Sequence, residues 1–266
     1  MGTFGHPNIL AFFLLIMIGC VFFQVERSGN LVRYSWWRKL ALLLLVGTLV
    51  LTETRSGWGA FLVMGGLYAL LYNRRWMIPG AILVFILACT PIVQRKVLET
   101  LSIYGNSVAV SDNSSLGWRI NTWKDLIGQA MKRPIFGYGI NADFRMTKDG
   151  LAAHNDYLRC FIESGIIGVL AYFIPYVYLF GYALKWQSSY ERGSPLWKLS
   201  GFFLCYIPAF LLMSITENLA SYVVVHWCVW GLVGIYLGLI AIERQQGESA
   251  ALSPVTQPQL VLAEVA

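Results

Sequence analysis

The stretch GLAAHNDYLRCFIESGIIGVLAYF, residues 150–173, changes character halfway along its length. The polar residues of its first half are His154, Asn155, Asp156, Arg159 and Glu163. Everything after Ser164 in the stretch is apolar or aromatic. Because a run of about 20 apolar residues crosses the hydrocarbon core of a bilayer, the stretch predicts a membrane-spanning helix whose mouth is lined with polar side chains.

The composition of the whole chain fits a membrane protein. Of its 266 residues, 57% are hydrophobic and 13% are charged, against about 25% charged in a typical soluble domain. Long apolar runs separate the charges, so we expect an all-α polytopic integral membrane protein. The net charge of +6 does not indicate a nucleic-acid partner, because Lys and Arg collect in the cytoplasmic loops of membrane proteins.

Seven apolar segments predict about seven transmembrane helices. They cover residues 6–23, 38–53, 57–72, 77–93, 164–184, 199–216 and 220–242. The predicted organisation is four helices with short loops in 1–93, a large outer loop in 94–163, three helices in 164–246 and a disordered cytoplasmic tail in 247–266.

The distribution of Lys and Arg predicts the orientation of these segments. The cations of one side are Arg27, Arg33, Arg38, Lys39, Arg74, Arg75, Lys185, Arg192, Lys198 and Arg244. That side should be cytoplasmic, with the N-terminus outside and the C-terminus inside. Arg55 is then the one Lys or Arg of the short outer loops, and the loop 94–163 lies outside.

The outer loop contains a second predicted helix, residues 116–131. Leu116, Ile120, Trp123, Ile127 and Ala130 recur at spacings of three and four and form one apolar stripe. This pattern is typical of an amphipathic helix at a membrane surface, in which Arg119 could stack on Trp123. The glycines of the following P-I-F-G-Y-G sequence predict either a plain turn or a phosphate-binding loop.

The opening stretch also predicts a polar helical face. With a helix starting near Ala153, Asn155, Arg159 and Glu163 lie at positions i, i+4 and i+8. Gly165 should allow another helix to pack closely just beyond them, as should Gly168.

Arg55, Arg119 and His154 are the candidate catalytic residues on this side. Each has a plainer interpretation: a charge at a helix end for Arg55, a headgroup contact for Arg119, and a structural imidazole for His154. His226, within an apolar run, is interpreted as a satisfied core histidine, and His6 as incidental. Together, however, two guanidinium groups suit a diphosphate, and a histidine can accept a proton from an attacking hydroxyl.

Three motifs, in this order, carry a resemblance to a known family. They are TRSGWGAFL at 54–62, WRINTWKDLIGQAMKRPIFGYGINADF at 118–144 and HNDYLRCFIESGIIGVLAYF at 154–173. They are similar to motifs of the O-antigen ligase and polysaccharide polymerase superfamily, the Wzy-C type. Thr54 stands where that superfamily usually has serine. Because the superfamily usually has more than seven spans, the chain resembles its C-terminal portion.

The resemblance implies an inverting glycosyltransferase that needs no metal or cofactor, in the bacterial inner membrane. The donor would be a glycan on undecaprenyl diphosphate, and the acceptor would be lipid A–core for a ligase or another glycan for a polymerase. Arg55 and Arg119 would bind the diphosphate and His154 would activate the acceptor. Asn155, Arg159 and Glu163 would bind or orient the substrate.

Other classes of protein stay open on sequence grounds. A transporter or flippase would show inverted repeats and helices broken near the middle of the membrane. An intramembrane serine protease would need a serine with a histidine base, and Ser56 has no evident partner. A pure scaffold would tolerate the loss of His154.

Overall fold

The structure is a computed structural model that describes residues 5–25, 35–72, 74–91, 94, 98 and 115–252. Every regular element in these residues is helical, which confirms the all-α prediction. The α-helices are α1 (Pro7–Val25), α2 (Ser35–Leu51), α3 (Arg55–Leu71), α4 (Met77–Ala88), α5 (Ser115–Ala130), α6 (Ala142–Met146), α7 (Asp156–Ser189), α8 (Pro195–Met213) and α9 (Val223–Leu252). Short 3₁₀ turns cover Arg74–Trp76 and Leu219–Ser221.

Three of these helices are long and apolar enough to cross a membrane, namely α7, α8 and the part of α9 over Val223–Ser249. The apolar part of α1, Pro7–Phe23, is shorter. The count of seven spans stays a prediction. Helix α9 continues to Leu252, into the stretch predicted to be a disordered tail. The rest of that tail lies outside the described residues, as does most of the outer loop before Ser115.

Helix α8 forms the centre of the bundle. Its side chains are buried around most of its circumference, including Phe202, Phe203, Tyr206 and Phe210, and α1, α3, α7 and α9 pack around it. The Ser200 hydroxyl and the Tyr236 hydroxyl on α9 form a buried hydrogen bond of 2.8 Å. A helix apolar on all sides is expected to lie inside a bundle, and α8 takes that position.

One end of the bundle brings together several helix termini, and we call it the site end. The Asn8 amide at the start of α1 and the Ser56 hydroxyl at the start of α3 both donate to Glu217, which lies between α8 and α9. The backbone N–H of Asp156, at the start of α7, donates to the carbonyl of Ser214, next to the end of α8. The site end therefore carries residues from across the sequence.

A small second core at the site end holds α5 and α6 against the first turns of α7. Its buried residues are Leu126, Ala130, Ala142, Ala153, Leu158 and Ile162. The helix predicted over 116–131 is confirmed as α5, but its predicted apolar stripe is partly wrong. Ile127 is exposed and Leu126 is buried, because packing against α7 selects the face through Trp123, Leu126 and Ala130.

Helix α7 is broken at Gly165, whose φ of 65° and ψ of −160° are not helical. A Cβ added at Gly165 would lie 2.1 Å from the carbonyl oxygen of Ile135, so only glycine fits there. The expectation that a helix packs at Gly165 is wrong, since a loop does so. At Gly168 an added Cβ would meet Ser164 of the same helix.

Candidate functional site

The carboxylate of Glu217 is the centre of the polar cluster at the site end. Glu217 is 4% exposed and accepts hydrogen bonds from Asn8 Nδ2 (2.8 Å), Ser56 Oγ (2.8 Å) and the Tyr222 hydroxyl (3.2 Å). These donors come from the starts of α1 and α3 and from the segment that leads into α9. A buried carboxylate needs such partners to offset the loss of hydration, and Glu217 thereby joins three helices.

The Arg119 side chain reaches the same cluster from α5. Its Nη1 donates to the carbonyl oxygen of Thr216 at 2.7 Å, one residue before Glu217. Burial lowers the pKa of the Arg119 guanidinium, the Glu217 carboxylate raises it and the charge of Arg55 lowers it. Arginine nevertheless remains protonated in proteins. Arg119 therefore lies within electrostatic range of Arg55 and of Glu217. Its guanidinium is hydrogen-bonded to Thr216, and its stacking on Trp123 stays a prediction.

His154 is held by the backbone just before α7. The carbonyl of Ala153 accepts a 2.6 Å hydrogen bond from Trp123 Nε1. The backbone N–H of Ala153 donates to Asp143 Oδ2. His154 itself has a φ of 50°, in the left-handed region that costs about 1 kcal/mol or more for a residue with a Cβ. Such a conformation persists only where the surroundings enforce it, and here it sets the direction of the imidazole.

The His154 imidazole has unused hydrogen-bonding capacity. Within the described part of the chain, its buried Nδ1 atom has no partner. The Trp118 ring packs edge-on against it, with a centroid distance of 6.2 Å. Burial lowers the pKa of His154, the charge of Arg119 lowers it further and the Glu217 carboxylate opposes both. The lowered pKa favours the neutral imidazole, the form that can accept a proton.

The three predicted catalytic residues thus lie in one electrostatic cluster. The charges of Arg119, Glu217 and His6 all act on His154, and those of Arg55 and Glu217 act on Arg119.

Asn155, Arg159 and Glu163 are engaged within the protein. The Asn155 side chain caps α7 by accepting from the N–H of Leu158 at 3.0 Å. Arg159 Nε pairs with Glu163 Oε1 at 3.2 Å, on the helical face that the i, i+4 spacing predicted. Arg159 also donates to the Ser221 hydroxyl, and Glu163 accepts from the N–H of Asn141 at 2.8 Å. These contacts connect α7 to two neighbouring loops.

The P-I-F-G-Y-G segment is a turn that docks on the break in α7. The N–H groups of Tyr138 and Gly139 donate to the carbonyls of Ile162 and Glu163, both at 2.8 Å. These are the groups that a phosphate loop would offer to its ligand. The plain-turn interpretation is therefore the one the geometry favours.

Sequence patterns do not single out two residues of the site end. One is Glu217, whose partners Asn8 and Ser56 lie 209 and 161 positions away. The other is Asp156, which is fully buried and accepts hydrogen bonds from the N–H of Ala220 (3.1 Å) and the Tyr172 hydroxyl (3.3 Å). A carboxylate at the start of a helix is expected to interact with the N-terminus of that helix. No pattern in the sequence predicts that Asp156 accepts from Ala220 instead.

The remaining candidates have structural partners. His226 Nε2 lies 3.0 Å from the carbonyl oxygen of Leu219, and its ring packs edge-on against Phe210, as expected of a satisfied core histidine. Ser56 donates to a carboxylate rather than to a histidine, so it lacks the base of a serine nucleophile. Among the described residues, no group of three His, Cys, Asp or Glu side chains is placed to hold a metal ion.

An apolar helical bundle with arginines and a histidine gathered at one end defines a multi-pass membrane protein with a polar site at a helix-terminal surface. The sequence of this chain matches the O-antigen ligase family (Wzy-C) over residues 40–173, half of its length, and the chain belongs to that family. The match includes Arg55, Arg119 and His154 and ends before Glu217.

A curated relative aligns with part of the chain. An uncharacterized protein of Haemophilus influenzae is 26% identical over 158 residues, which cover 50% of this chain and 39% of that protein. The chain therefore spans well under two thirds of the length of this relative.

Proposed function

We propose that the protein is a membrane glycosyltransferase that moves a glycan from undecaprenyl diphosphate to a hydroxyl of an acceptor glycan. The observation that carries the proposal is the cluster around the buried carboxylate of Glu217. Ser56, next to Arg55, donates to this carboxylate, Arg119 is bonded to Thr216 beside it, and the charge of Arg119 acts on His154. The family supports a ligase or polymerase type of activity. The proposal adds the donor, the acceptor and the roles of the residues.

In the proposed reaction, His154 accepts the proton of the acceptor hydroxyl. The hydroxyl oxygen then bonds to the anomeric carbon of the donor, and the bond from that carbon to the diphosphate oxygen breaks with inversion. A positioned general base contributes about 10²- to 10⁴-fold to such a step. Burial lowers the pKa of His154, which favours the neutral imidazole that this role requires.

The two arginines would neutralise the departing diphosphate. Guanidinium groups bind phosphate oxygens through paired hydrogen bonds, and undecaprenyl diphosphate leaves with more negative charge than it carried in the donor. Arg119 is anchored to Thr216 through Nη1, which orients the rest of its guanidinium. Because the arginines supply positive charge, the proposed reaction uses no metal or cofactor.

Glu217 would assist by acting on His154 after proton transfer. Its carboxylate favours the protonated imidazole and would stabilise the imidazolium as the bond to the acceptor forms. The three neutral donors around Glu217 fix its position. We assign it a positioning and electrostatic role.

Asn155, Arg159 and Glu163 have a supporting role in this proposal. Their contacts hold the start of α7 and the Gly137–Gly139 turn, and so they set the direction of His154. We further propose that the site end faces the periplasm of a bacterial inner membrane, with the N-terminus outside and the C-terminus in the cytoplasm, as the distribution of cations predicts.

A transfer assay with two acceptors tests the function and separates its two forms. The full chain in proteoliposomes receives a glycan on undecaprenyl diphosphate, with either lipid A–core or a second lipid-linked repeat as acceptor. Product on lipid A–core identifies a ligase, and a lengthened lipid-linked glycan identifies a polymerase. His154→Ala and Arg55→Ala should abolish transfer, with Lys148→Ala as a control at an exposed cation whose side chain is 88% accessible. Full transfer by both site variants would refute the assignment.

A transporter is the weaker candidate. Helix α7 breaks at Gly165, close to the site end, rather than midway through a span as a transporter helix would. A cavity of about 490 Å³ lined by residues of α1, α2, α3 and α4 has almost only apolar and aromatic side chains in its walls, including Phe22, Phe61 and Trp76. Such a lining does not provide a pathway for a charged glycan lipid.

A further inference from the structure

The loop after α5 carries large apolar side chains that the protein leaves uncovered. Phe136 and Ile140 are each 76% exposed, and Met131 and Ile135 are also exposed. They lie on both sides of the glycines at 137 and 139, within a short segment of the chain. Exposed aromatic and aliphatic groups grouped in this way mark a surface that contacts something apolar.

Much of the backbone of this loop is hydrogen-bonded inside the protein. The N–H of Gly137 donates to the carbonyl of Arg133. The N–H groups of Tyr138 and Gly139 donate to the carbonyls of Ile162 and Glu163, just before the break in α7. The N–H of Asn141 donates to Glu163. Non-helical backbone is tolerated next to lipid only where its polar groups are satisfied in this way. The N–H groups of Gly137, Tyr138, Gly139 and Asn141 meet that condition.

The exposed loop continues the lipid-facing surface of α7. The N–H of Ile166 donates to the carbonyl of Pro134 at 2.8 Å, and the backbone of Ile135 abuts Gly165. Directly after the break, Ile166 and Ile167 are exposed on a helix long and apolar enough to cross a membrane. The side chains of the loop therefore extend the apolar surface of a candidate span.

Cations and an aromatic ring border the apolar residues. The Arg133 guanidinium lies 5.0 Å from the centroid of the Tyr138 ring, and Arg145 Nη2 donates to the carbonyl of Tyr138. Lys132 precedes them. Tyrosine and basic side chains are enriched where a protein passes from hydrocarbon to headgroups, and basic groups near the surface attract anionic lipid.

We propose that residues 131–140 form an apolar wedge that enters the bilayer leaflet at the site end, with Phe136 and Ile140 among the acyl chains and Lys132, Arg133 and Arg145 at the phosphates. The amphipathic helix α5 was also expected at the membrane surface, and its buried face packs against α7. Because the turn is bonded to Ile162 and Glu163, the wedge holds the start of α7, and with it His154, at headgroup level.

Lipid-selective quenching at single positions tests the wedge. An encoded environment-sensitive fluorescent amino acid replaces Phe136, Ile167 or Lys148 in the full chain, in vesicles of phosphatidylcholine and phosphatidylglycerol. Ile167 is the lipid-facing reference and Lys148 the water-facing reference. Dibrominated phosphatidylcholine should quench the probe at 136 as strongly as at 167, whereas aqueous iodide should quench only the probe at 148.

A second arm tests the role of the apolar side chain itself. With the probe at Ile140, Phe136→Asp should reduce quenching by brominated lipid, and Phe136→Leu should leave it unchanged. Quenching by iodide at 136 would place the loop in water and overturn the proposal. Protection from both quenchers would show that protein covers the loop, either a second copy or another chain, and would overturn it equally. Neither readout depends on glycan transfer.

Discussion

Two sets of polar residues lie near the start of α7, and they differ in whether their hydrogen-bonding groups are already satisfied within the protein. Arg159 and Glu163 pair with each other and with Ser221 and Asn141, so they are satisfied within the protein. His154, in contrast, keeps a buried nitrogen without a partner in the described residues and experiences the charge of Arg119. We therefore distinguish a building group, Arg159 and Glu163, whose contacts hold the site together, from a poised group, His154 together with Arg119, whose charge acts on it.

The largest effect is expected when an arginine of the poised group is lost. Arg119→Ala should reduce the initial rate of transfer by at least about 100-fold, the usual effect of removing one donor that stabilises a developing charge. Arg119→Lys should recover little of the rate, because an ammonium group lacks the paired geometry. Initial rates in proteoliposomes measure both variants, with Lys148→Ala as the control. A wild-type rate for a correctly inserted Arg119→Ala protein would erase the distinction between the two groups.

Substitutions near the building group should change stability rather than rate. The turn that docks on this part of α7 offers a matched pair of substitutions, at Gly137 and at Gly139. A Cβ at Gly137 would lie 2.5 Å from the carbonyl oxygen of Ile162, whereas one at Gly139 would meet nothing within 4 Å, although both residues have positive φ. Gly137→Ala should therefore lower the midpoint of thermal unfolding clearly more than Gly139→Ala, which carries only a backbone penalty of about 1 kcal/mol. Equal midpoints would show that the turn does not dock on α7 as described.

Substitution of Glu163, which pairs with Arg159, should lower stability less than Gly137→Ala does. The size of the loss should depend on the hydrogen bonds that are removed. Glu163→Ala removes the acceptor for both Arg159 and Asn141 and should cost about 1 kcal/mol. Glu163→Gln keeps an oxygen acceptor and should lie closer to wild type in thermal unfolding. The rate of transfer should fall far less in either variant than in Arg119→Ala. A loss of rate as large as that of Arg119→Ala, with an unchanged unfolding midpoint, would move Glu163 into the poised group.

The smallest expected effect is on the pH profile. The negative charge of Glu217 raises the pKa of His154, so Glu217→Gln should lower that pKa. The acidic limb of the pH–rate profile would then move to lower pH, by less than about one unit. Asp125→Asn, at an exposed carboxylate on α5, is the matched control and should leave the limb in place. A shift toward higher pH in Glu217→Gln would contradict the arrangement of charges.

Local patterns in the sequence predicted the local parts of the structure. The 3.6-residue period predicted α5, and the i, i+4 spacing placed Arg159 and Glu163 on one helical face, where they pair. The long apolar runs predicted α7, α8 and α9 as candidate spans. Each of these features depends on residues close together in the chain, so a short window contains the information.

The remaining features depend on packing between distant segments. The choice of Leu126 over Ile127 as a buried residue depends on how α5 lies against α7. The role of Glu217 depends on bonds to Asn8 and Ser56 across three helices, and no periodicity encodes them. The family resemblance identified Arg55, Arg119 and His154 as partners, but only the fold placed Glu217 among them.

The most direct test of the central claim compares transfer by His154→Ala and by Arg159→Ala, two residues of the same motif. The full chain in proteoliposomes is preloaded with glycan on undecaprenyl diphosphate, acceptor is added, and product is followed over a single turnover. The account predicts that His154→Ala loses transfer by about 10²-fold or more, while Arg159→Ala keeps most of it. Equal rates for His154→Ala and the wild-type protein would contradict the account.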